Sequence, residues 1–226
     1  MSNLFSIFQK YHAIVFFDTE TTGLYAKRDK IIELAAIRVE YQKDNSLIIT
    51  KKINDFIKLP HGNKIPTEII KLTKITNETL ENQGIDEINA IKNFSSLIND
   101  KNTTVLIVAY NAQFDLGFLY ETMTHYRQEP FITYLNNADY LDALTVYKDR
   151  YPYPHKLIDA INTYKLQNKV KNSHRAIDDV MALFEVFKAM NDEKSNLLSY
   201  VNKFSFNPKY GIRGQRISKV KYFPQS

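Results

Sequence analysis

The stretch AIVFFDTETTGL, residues 13–24, decides the fold and directs the search for function. Its run of four apolar residues, 14–17, predicts a buried strand, and Asp18 and Glu20 follow where that strand ends. Side chains two residues apart on an extended strand point to the same side, so these carboxylates can converge on one point. Oxygen ligands of this kind suit hard ions such as Mg²⁺ or Mn²⁺. Taken alone, the pattern also fits a solvated strand end that begins a turn at Gly23.

The composition describes a globular protein without thiol chemistry. The chain has 226 residues, of which 44% are hydrophobic and 13% aromatic, and can bury a substantial core. It contains no cysteine, which excludes disulfides, thiolate metal sites and a cysteine nucleophile. The opening MSNLFSIFQKYH does not resemble a signal peptide, and no apolar run approaches the ~18 residues of a membrane span. We therefore expect a soluble, cytoplasmic protein.

The net charge of +5 is concentrated in the last 32 residues. This segment, 195–226, has six basic and no acidic residues, which leaves the first 194 residues at −1. It also has six aromatic residues. Cations and aromatic rings together are what a groove for single-stranded nucleic acid needs, but the rings could also pack against the rest of the protein or dock a partner. Packing of at least some of them is favoured, because large exposed apolar clusters are uncommon. We predict a main domain over 1–194 and a basic, aromatic-rich extension over 195–226. The basic residues are Lys203, Lys209, Arg213, Arg216, Lys219 and Lys221. The aromatic residues are Tyr200, Phe204, Phe206, Tyr210, Tyr222 and Phe223.

Hydrophobic periodicity predicts strands and helices that alternate after an initial meander. The predicted strands are 13–18, 31–41, 47–59, 103–110 and the start of 138–144. The predicted helices are a short one from about 67 and others over 86–100, 113–126, 155–164 and 176–190. The strands on either side of QKDNS form a hairpin. This order predicts an α/β fold with a mixed central sheet flanked by helices.

Two further carboxylates and one histidine extend the first motif. Asp115 comes just after the apolar strand 103–110, in the first turn of the next helix, where it can face the end of the sheet. It could also simply complement the helix dipole. His174 stands five residues before Asp179, so a histidine in the loop before the helix can overhang a carboxylate in its first turns. Alone, this last pairing arises often by chance.

Taken in order, FDTETTGL, AYNAQFD and HRAIDD resemble the three exonuclease motifs of the DnaQ-like, DEDDh superfamily. The resemblance covers roughly 13–190 and is closest to the proofreading subunits and domains of bacterial replicative polymerases. It implies a ribonuclease H-like fold. The segment LTKIT also resembles the family's usual LTGIT-like stretch. Tyr110 departs from the pattern, because many members have histidine at this position.

The resemblance implies a two-metal 3′→5′ exonuclease that uses Mg²⁺ or Mn²⁺. It assigns catalytic roles to Asp18, Glu20, Asp115, His174 and Asp179, the four acidic residues as metal ligands and the histidine as general base. Near the substrate it places Thr21, Gly23, Leu24, Asn111 and Phe114, although ordinary packing explains Leu24 and Phe114 equally well. Position in the motif excludes Asp178 as a ligand. His155, which follows two prolines, is interpreted as a residue at the start of a helix rather than a catalytic one.

Three functions remain open at this point. The favoured one is hydrolysis of single-stranded DNA from its 3′ end, with release of nucleoside 5′-monophosphates, in proofreading or repair. A DNA polymerase subunit is then a candidate partner, and no membrane is involved. The second is trimming of RNA 3′ ends, since the metal chemistry does not distinguish the sugar. The third is a nucleic-acid-binding subunit without activity, against which the intact set of acidic residues and histidine argues.

Overall fold

The computed structural model describes residues 4–98, 103–206 and 217–224. The strands are β1 (Ala13–Thr21), β2 (Ile31–Tyr41), β3 (Leu47–Phe56), β4 (Val105–Ala109), β5 (Asp139–Asp142), β6 (Lys203–Phe206) and β7 (Lys221–Pro224). The helices of the first half are α1 (Phe5–Phe8), α2 (Thr67–Thr73), α3 (Asn77–Gln83), α4 (Glu87–Ile98) and α5 (Ala112–His125). Those of the second half are α6 (Glu129–Asn137), α7 (Ala143–Arg150), α8 (Leu157–Thr163), α9 (Ala176–Glu193) and a 3₁₀ turn at Leu197–Tyr200.

The central sheet has five strands in the order β3-β2-β1-β4-β5. The first three strands form an antiparallel meander, and β4 and β5 lie parallel to β1. The parallel strands are joined by crossover connections that contain helices, as parallel pairing requires. The predicted hairpin and the predicted α/β fold with a mixed, helix-flanked sheet are both confirmed.

The side chains of strand β1 point alternately to the two faces of the sheet, and both faces are buried. Val15 and Phe17 pack on the face that α4 and α5 cover. Ile14 and Phe16 pack on the opposite face, where the ring of Phe16 lies 5.2 Å from that of Phe187 in α9. Burial of each such side chain contributes about 1.5–3 kcal/mol. This double packing fixes which way the residues beyond Phe17 point.

One edge of the sheet collects the ends of several elements. The parallel strands β1, β4 and β5 end there, and the antiparallel register starts β2 and ends β3 at the same edge, with Glu20 opposite Glu33. Asp18 and Glu20 lie on it, and we call it the carboxylate edge. Loops at such an edge are the usual location of sites in α/β proteins.

Several elements differ from the sequence prediction. Helices α1, α3 and α6 and the strands β6 and β7 were not predicted. Helix α3 has the sequence NETLENQ, in which only Leu80 is buried, so no apolar periodicity marks it. The third strand ends at Phe56 rather than 59, and Ile57 forms a bridge with Ile85 instead. Within the described residues, no helix has both the length and the apolar character needed to cross a membrane.

The described part of the extension packs against the main body. The side chain of Phe204 is 1% exposed and joins the core beneath α5 and α6, and its ring packs against Tyr140. The amide of Asn202 donates to the carbonyl of Tyr140 at 2.7 Å, and Lys219 forms an ion pair with Asp139. The favoured packing of the aromatic residues is confirmed for Phe204. The division at residue 194 stays a prediction. Outside the described residues lie Lys209, Tyr210, Arg213 and Arg216.

Candidate active site

Three carboxylates meet at the carboxylate edge. Asp18 and Glu20 follow Ile14 and Phe16 on the face of β1 that α9 covers, and the first turn of α9 adds Asp179. One oxygen from each of Asp18, Glu20 and Asp179 lies within 4.8 Å of the others. The predicted convergence of Asp18 and Glu20 with Asp179 is therefore confirmed.

Asp115 approaches the same edge from the other face of the sheet. It lies in the first turn of α5 and is 3% exposed. Its Oδ1 accepts hydrogen bonds from the amide of Thr19 at 3.0 Å and from the hydroxyl of Thr19 at 2.6 Å. These bonds place it beside Asp18 but outside the group of three, since Thr19 points away from α9. The dipole-only interpretation of Asp115 is insufficient, because the side chain is fixed to β1.

The electrostatics of this edge favour a cation. Burial raises the pKa of Glu20 to about 8 and that of Asp115 to about 7. Burial also raises the pKa of Asp179 to about 7, against a hydrogen bond from Asn172 that lowers it. The pKa of Asp18 lies well above its usual range, because it is buried and because Asp115, Asp179 and Glu20 surround it with negative charge. Ionisation of all four groups is therefore costly without a nearby positive charge.

The donor set fits a divalent metal ion. All of the converging groups are carboxylates, and hard ions such as Mg²⁺ and Mn²⁺ prefer oxygen ligands. The three oxygens within 4.8 Å of one another belong to Asp18, Glu20 and Asp179, which would hold the ion. Asp115 would contribute to the same region from the α5 side.

Glu33 is a buried carboxylate that the sequence analysis did not identify. It lies directly opposite Glu20 in the β1–β2 ladder and is 0% exposed. Its two oxygens accept hydrogen bonds from the guanidinium of Arg175 at 2.9 and 3.2 Å and from the amide of Ala176 at 3.0 Å. Glu33 therefore anchors the start of α9 and positions Asp179 one turn further along. A glutamate inside the apolar run IIELAAIRV was the available signal.

His174 lies in the loop that precedes α9, as the sequence analysis proposed. Its backbone is left-handed, with φ +54°, and its side chain is exposed. Neighbouring residues fix this loop, because Asn172 donates to Asp179 at 2.9 Å and Ser173 donates to Asp178 at 2.6 Å. The imidazole forms no hydrogen bond within the described part of the chain. The ring is thus carried on a fixed backbone and is exposed to solvent.

His155 has different surroundings. Its Nε2 lies 2.9 Å from the carbonyl oxygen of Tyr151, and its ring packs edge-on against Tyr147. The hydroxyl of Tyr110 donates to the carbonyl oxygen of His155 at 2.9 Å. Tyr110 thus ties the end of β4 to the segment before α8. These contacts support the interpretation of His155 as a structural residue.

The predicted substrate residues lie along two loops at the edge. Thr21 donates from its hydroxyl to the carbonyl of Gly23 at 2.6 Å. A Cβ at Gly23 would lie 2.5 Å from the carboxylate of Asp29, so a larger residue here would displace that side chain. Leu24 is 66% exposed, which ordinary packing does not explain.

On the second loop, Asn111 has a left-handed backbone, with φ +71°, and begins α5. Phe114 is half-buried and packs against Phe118, with ring centroids 5.1 Å apart, so packing accounts for it. Asp142, which the sequence analysis also missed, fixes this loop. It accepts hydrogen bonds from the amides of Asn111 at 2.9 Å and Ala112 at 3.2 Å.

Comparisons with known proteins agree with this geometry. The RNase_T family model, described as an exonuclease, matches residues 15–187. The PolC-type DNA polymerase III of Ureaplasma parvum is 30% identical over 197 residues, which is 86% of this chain and 13% of that protein. The DNA polymerase III subunit epsilon of Rickettsia prowazekii is 26% identical over 191 residues, which is 84% of this chain and 78% of that protein.

Among solved structures, E. coli exonuclease I in complex with a dA16 oligonucleotide superposes with a TM-score of 0.68. The identity is 19%, and the match covers 83% of this chain and 42% of that one, so this likeness shows the fold. The chain spans about an eighth of the length of the PolC-type relative that it matches. The family match, which covers most of the chain, and the relatives agree: the chain belongs to the DnaQ-like exonuclease family.

Proposed function

We propose that this protein is a metal-dependent 3′→5′ exonuclease that removes nucleoside 5′-monophosphates from the 3′ ends of single-stranded DNA. The observation that carries the proposal is the convergence of Asp18, Glu20 and Asp179 within 4.8 Å at the end of a buried strand. Family membership agrees with it. The proposed cofactor is a pair of divalent ions, either Mg²⁺ or Mn²⁺.

The carboxylates act together as the metal-holding groups. Asp18, Glu20 and Asp179 would hold one ion, and Asp115, which lies beside Asp18, would help to hold the second. When bound, the ions stabilise the charge that develops on the attacking and leaving oxygens of the phosphodiester. Thr19 keeps Asp115 in place through two hydrogen bonds, and Glu33 keeps the start of α9 in place.

His174 is the proposed general base. Histidine is the side chain that most often serves as a general base in enzymes. The attacking water gives its proton to His174 as its oxygen bonds to phosphorus. As this bond forms, the bond from phosphorus to the 3′ oxygen of the preceding nucleotide breaks, and that oxygen takes a proton from solvent water and leaves as a new 3′ hydroxyl. Exposure of His174 allows the proton to pass on to solvent.

The 3′-terminal nucleotide lies between the two loops of the carboxylate edge. Thr21, Gly23 and Asn111 contact its sugar and base through backbone and short side chains. Leu24 is exposed and packs under the base, and Phe114 lines the same side. The ring of Phe114 is already held by Phe118, so it supports the pocket.

The names of the relatives support the proposal of a DNA substrate and a role in replication. One relative is named a PolC-type DNA polymerase III and another a subunit of DNA polymerase III, and the exonuclease I structure contains a dA16 oligonucleotide. We therefore propose proofreading or repair, with a DNA polymerase subunit as partner. The alternative function is trimming of RNA 3′ ends.

The deciding experiment is product analysis on matched single-stranded DNA and RNA oligonucleotides. With Mg²⁺ or Mn²⁺ we expect a ladder that shortens from the 3′ end and free 5′-monophosphates, and we expect no products in excess chelator. Full activity in chelator would contradict the metal mechanism. Faster hydrolysis of RNA than of DNA would assign the chain to RNA 3′-end processing.

A pair of histidine variants tests the proposed base. His174→Ala should slow hydrolysis by about 10²–10⁴-fold, because it removes the proton acceptor and leaves every carboxylate in place. His155→Ala is the matched control and should keep turnover near the wild-type value, since its contacts are to Tyr151 and Tyr147. The reverse order of effects would show that the base is misassigned.

A further inference from the structure

A polar cleft opens beside the carboxylate edge. It has a volume of about 260 Å³ and lies between the loop after β1 and the loop after β3. Three of its lining residues are cations, Arg28, Lys30 and Lys64, and none is acidic. The other lining residues include Thr22 and Asn63.

The cleft lies next to the proposed metal site. Thr22 is two residues beyond Glu20, and an extended chain rises about 3.3 Å per residue, so the cleft begins roughly 7 Å along the chain from Glu20. Lys30 faces Thr22 across the ladder, because the amide of Thr22 donates to the carbonyl of Lys30 at 2.8 Å. The amide of Lys30 donates in return to the hydroxyl of Thr22 at 2.9 Å.

The first wall of the cleft is a fixed loop. The carboxylate of Asp29 accepts a hydrogen bond from the amide of Tyr25 at 2.8 Å and approaches Gly23 so closely that a Cβ there would collide with it. The guanidinium of Arg28 lies 4.7 Å from the centre of the Tyr25 ring. The direction of Arg28 is therefore set by stacking, and its charge stays on the surface, with the side chain 72% exposed.

The second wall is a tight turn. The amide of Asn63 donates to the carbonyl of Pro60 at 3.0 Å, and Gly62 has φ +84°, which glycine adopts without strain. A side chain on Gly62 would meet no atom within 4 Å, so the turn leaves its surroundings open. Lys64 follows directly and lines the cleft.

The charges of the cleft are available for an anion. Within the described residues, neither Lys30 nor Lys64 takes part in an ion pair. Arg28 has only a long contact with Asp29, 3.5 Å from Nε to Oδ1. Asp29 offsets part of the charge of Arg28, but the cleft as a whole stays positive and therefore attracts a polyanion.

We propose that this cleft binds backbone phosphates of the substrate strand beyond the 3′-terminal nucleotide. The inference rests on the proposed function, which places the terminal nucleotide at Thr21 and Gly23, one residue to either side of Thr22. Arg28, Lys30 and Lys64 hold phosphate oxygens without contacting bases, so the cleft sets the length of strand that is gripped and not its sequence. The loop after β1 connects phosphate binding in the cleft with the reaction site, because the same loop carries Gly23.

The test measures binding rather than turnover. The variant Arg28→Gln/Lys30→Gln/Lys64→Gln is compared with wild type by fluorescence anisotropy on labelled (dT)2 and (dT)10 in excess chelator over a series of salt concentrations. For (dT)10 we expect at least tenfold weaker binding at low salt. We also expect the slope of log K against log salt to fall by about 0.7–2, since each phosphate contact on a single strand contributes about 0.7. Binding of (dT)2 should change less than twofold.

The matched control is Lys43→Gln/Lys52→Gln/Lys92→Gln, which removes the same charge from exposed lysines elsewhere on the body. Lys43 lies in the turn between β2 and β3, at the opposite end of the sheet. Equal salt slopes for the two triple variants would overturn the proposal. Equal losses of affinity for (dT)2 and (dT)10 would also overturn it, because they would show that the cleft binds the terminal nucleotide. Failure of the proposed function is separate, because it would appear as wild-type protein that binds (dT)10 but never shortens it in Mg²⁺ or Mn²⁺.

Discussion

Glu20 and Glu33 lie directly opposite each other on β1 and β2, yet they have opposite surroundings. Glu33 is completely buried, and three N–H groups of Arg175 and Ala176 satisfy its oxygens. Within the described part of the chain, Glu20 receives no hydrogen bond, and burial among carboxylates raises its pKa to about 8. Two residues of the same type, side by side, therefore separate into an anchored group and an unsatisfied one.

The difference shows how the edge is organised. A buried carboxylate without a partner is unfavourable, and the cation that could have satisfied Glu20 is bound to Glu33 instead. Asp18, Glu20 and Asp179 are left to share whatever cation enters from solvent. Two adjacent residues at the start of α9 differ in the same way. Arg175 forms an ion pair with Glu33, and His174 remains exposed.

The largest effect is expected from removing a charge on the unsatisfied side. Asp18→Asn should lower turnover on the order of 10³-fold, because metal ligands supply several kcal/mol of transition-state stabilisation and each 1.4 kcal/mol is about tenfold. The same variant should unfold at a higher temperature than wild type without metal, since the repulsion around Asp18 is relieved. Turnover and thermal unfolding in chelator are the measurements.

Asp178→Asn is the control for that prediction. Asp178 is adjacent to Asp179 in α9, but its carboxylate accepts a hydrogen bond from Ser173 and is not among the three that converge. Its turnover should stay within a few-fold of wild type. Near-normal turnover of Asp18→Asn, or a loss in Asp178→Asn of the same size, would overturn the ligand assignment.

An intermediate effect is expected from breaking the anchored side. Arg175→Ala should lower the free energy of unfolding by about 2–3 kcal/mol, because it leaves Glu33 buried and charged. The value lies below that of a fully buried pair because the Arg175 side chain is 31% exposed. Chemical denaturation in chelator measures the change.

A double variant sharpens this prediction. Arg175→Ala/Glu33→Gln removes the unpaired charge as well, so part of the lost stability should return, and the coupling energy follows from the cycle. Metal affinity, measured by titration calorimetry with Mn²⁺, should stay weaker than in wild type, since the start of α9 has lost its anchor. Additive losses in the double variant would show that Glu33 and Arg175 act independently.

The sequence predicted one side of the comparison and missed the other. Asp18, Glu20, Asp115, His174 and Asp179 stand in short motifs, so local spacing and family resemblance were enough to bring them together. Strong apolar periodicity likewise located the five strands of the sheet.

The anchoring interactions depend on contacts that spacing does not encode. Glu33 and Arg175 are 142 residues apart in the chain, and their pairing depends on how α9 lies across the sheet. Asp142 and Asn111 meet across 31 residues for the same kind of reason. The basic cleft is likewise formed by two loops that only the register of β1, β2 and β3 brings together. Helices α3 and α6 were missed because few of their residues are buried, with Phe131 and Leu135 the buried pair of α6.

The smallest effect is expected from neutralising Glu20, and its sign depends on pH. The folded protein holds the pKa of Glu20 at about 8, above its ordinary value of 4.5, so the protonated form favours folding. That stability is present below pH 4.5 and is lost as the pH rises toward 8. Glu20→Gln keeps the shape of the protonated acid and never ionises. In chelator the variant should therefore be more stable than wild type at pH 8.5. The pKa shift of Glu20 sets an upper limit of about 5 kcal/mol, at about 1.4 kcal/mol per unit, and the partial exposure of the side chain reduces the expected gain to about 1–2 kcal/mol.

At pH 5 that difference should fall below about 1 kcal/mol, because Glu20 is still protonated in the folded protein and the pH is only half a unit above its ordinary pKa of 4.5 in the unfolded chain. Addition of Mn²⁺ at pH 8.5 should reverse the order, since wild type gains binding free energy that the amide cannot match. The matched comparison is Glu33→Gln, which should destabilise the protein at both pH values, because it removes the partner of Arg175 and not a repulsive charge. If Glu20→Gln and Glu33→Gln shifted stability in the same direction at pH 8.5 in chelator, the two glutamates would not have the separate roles that their surroundings indicate.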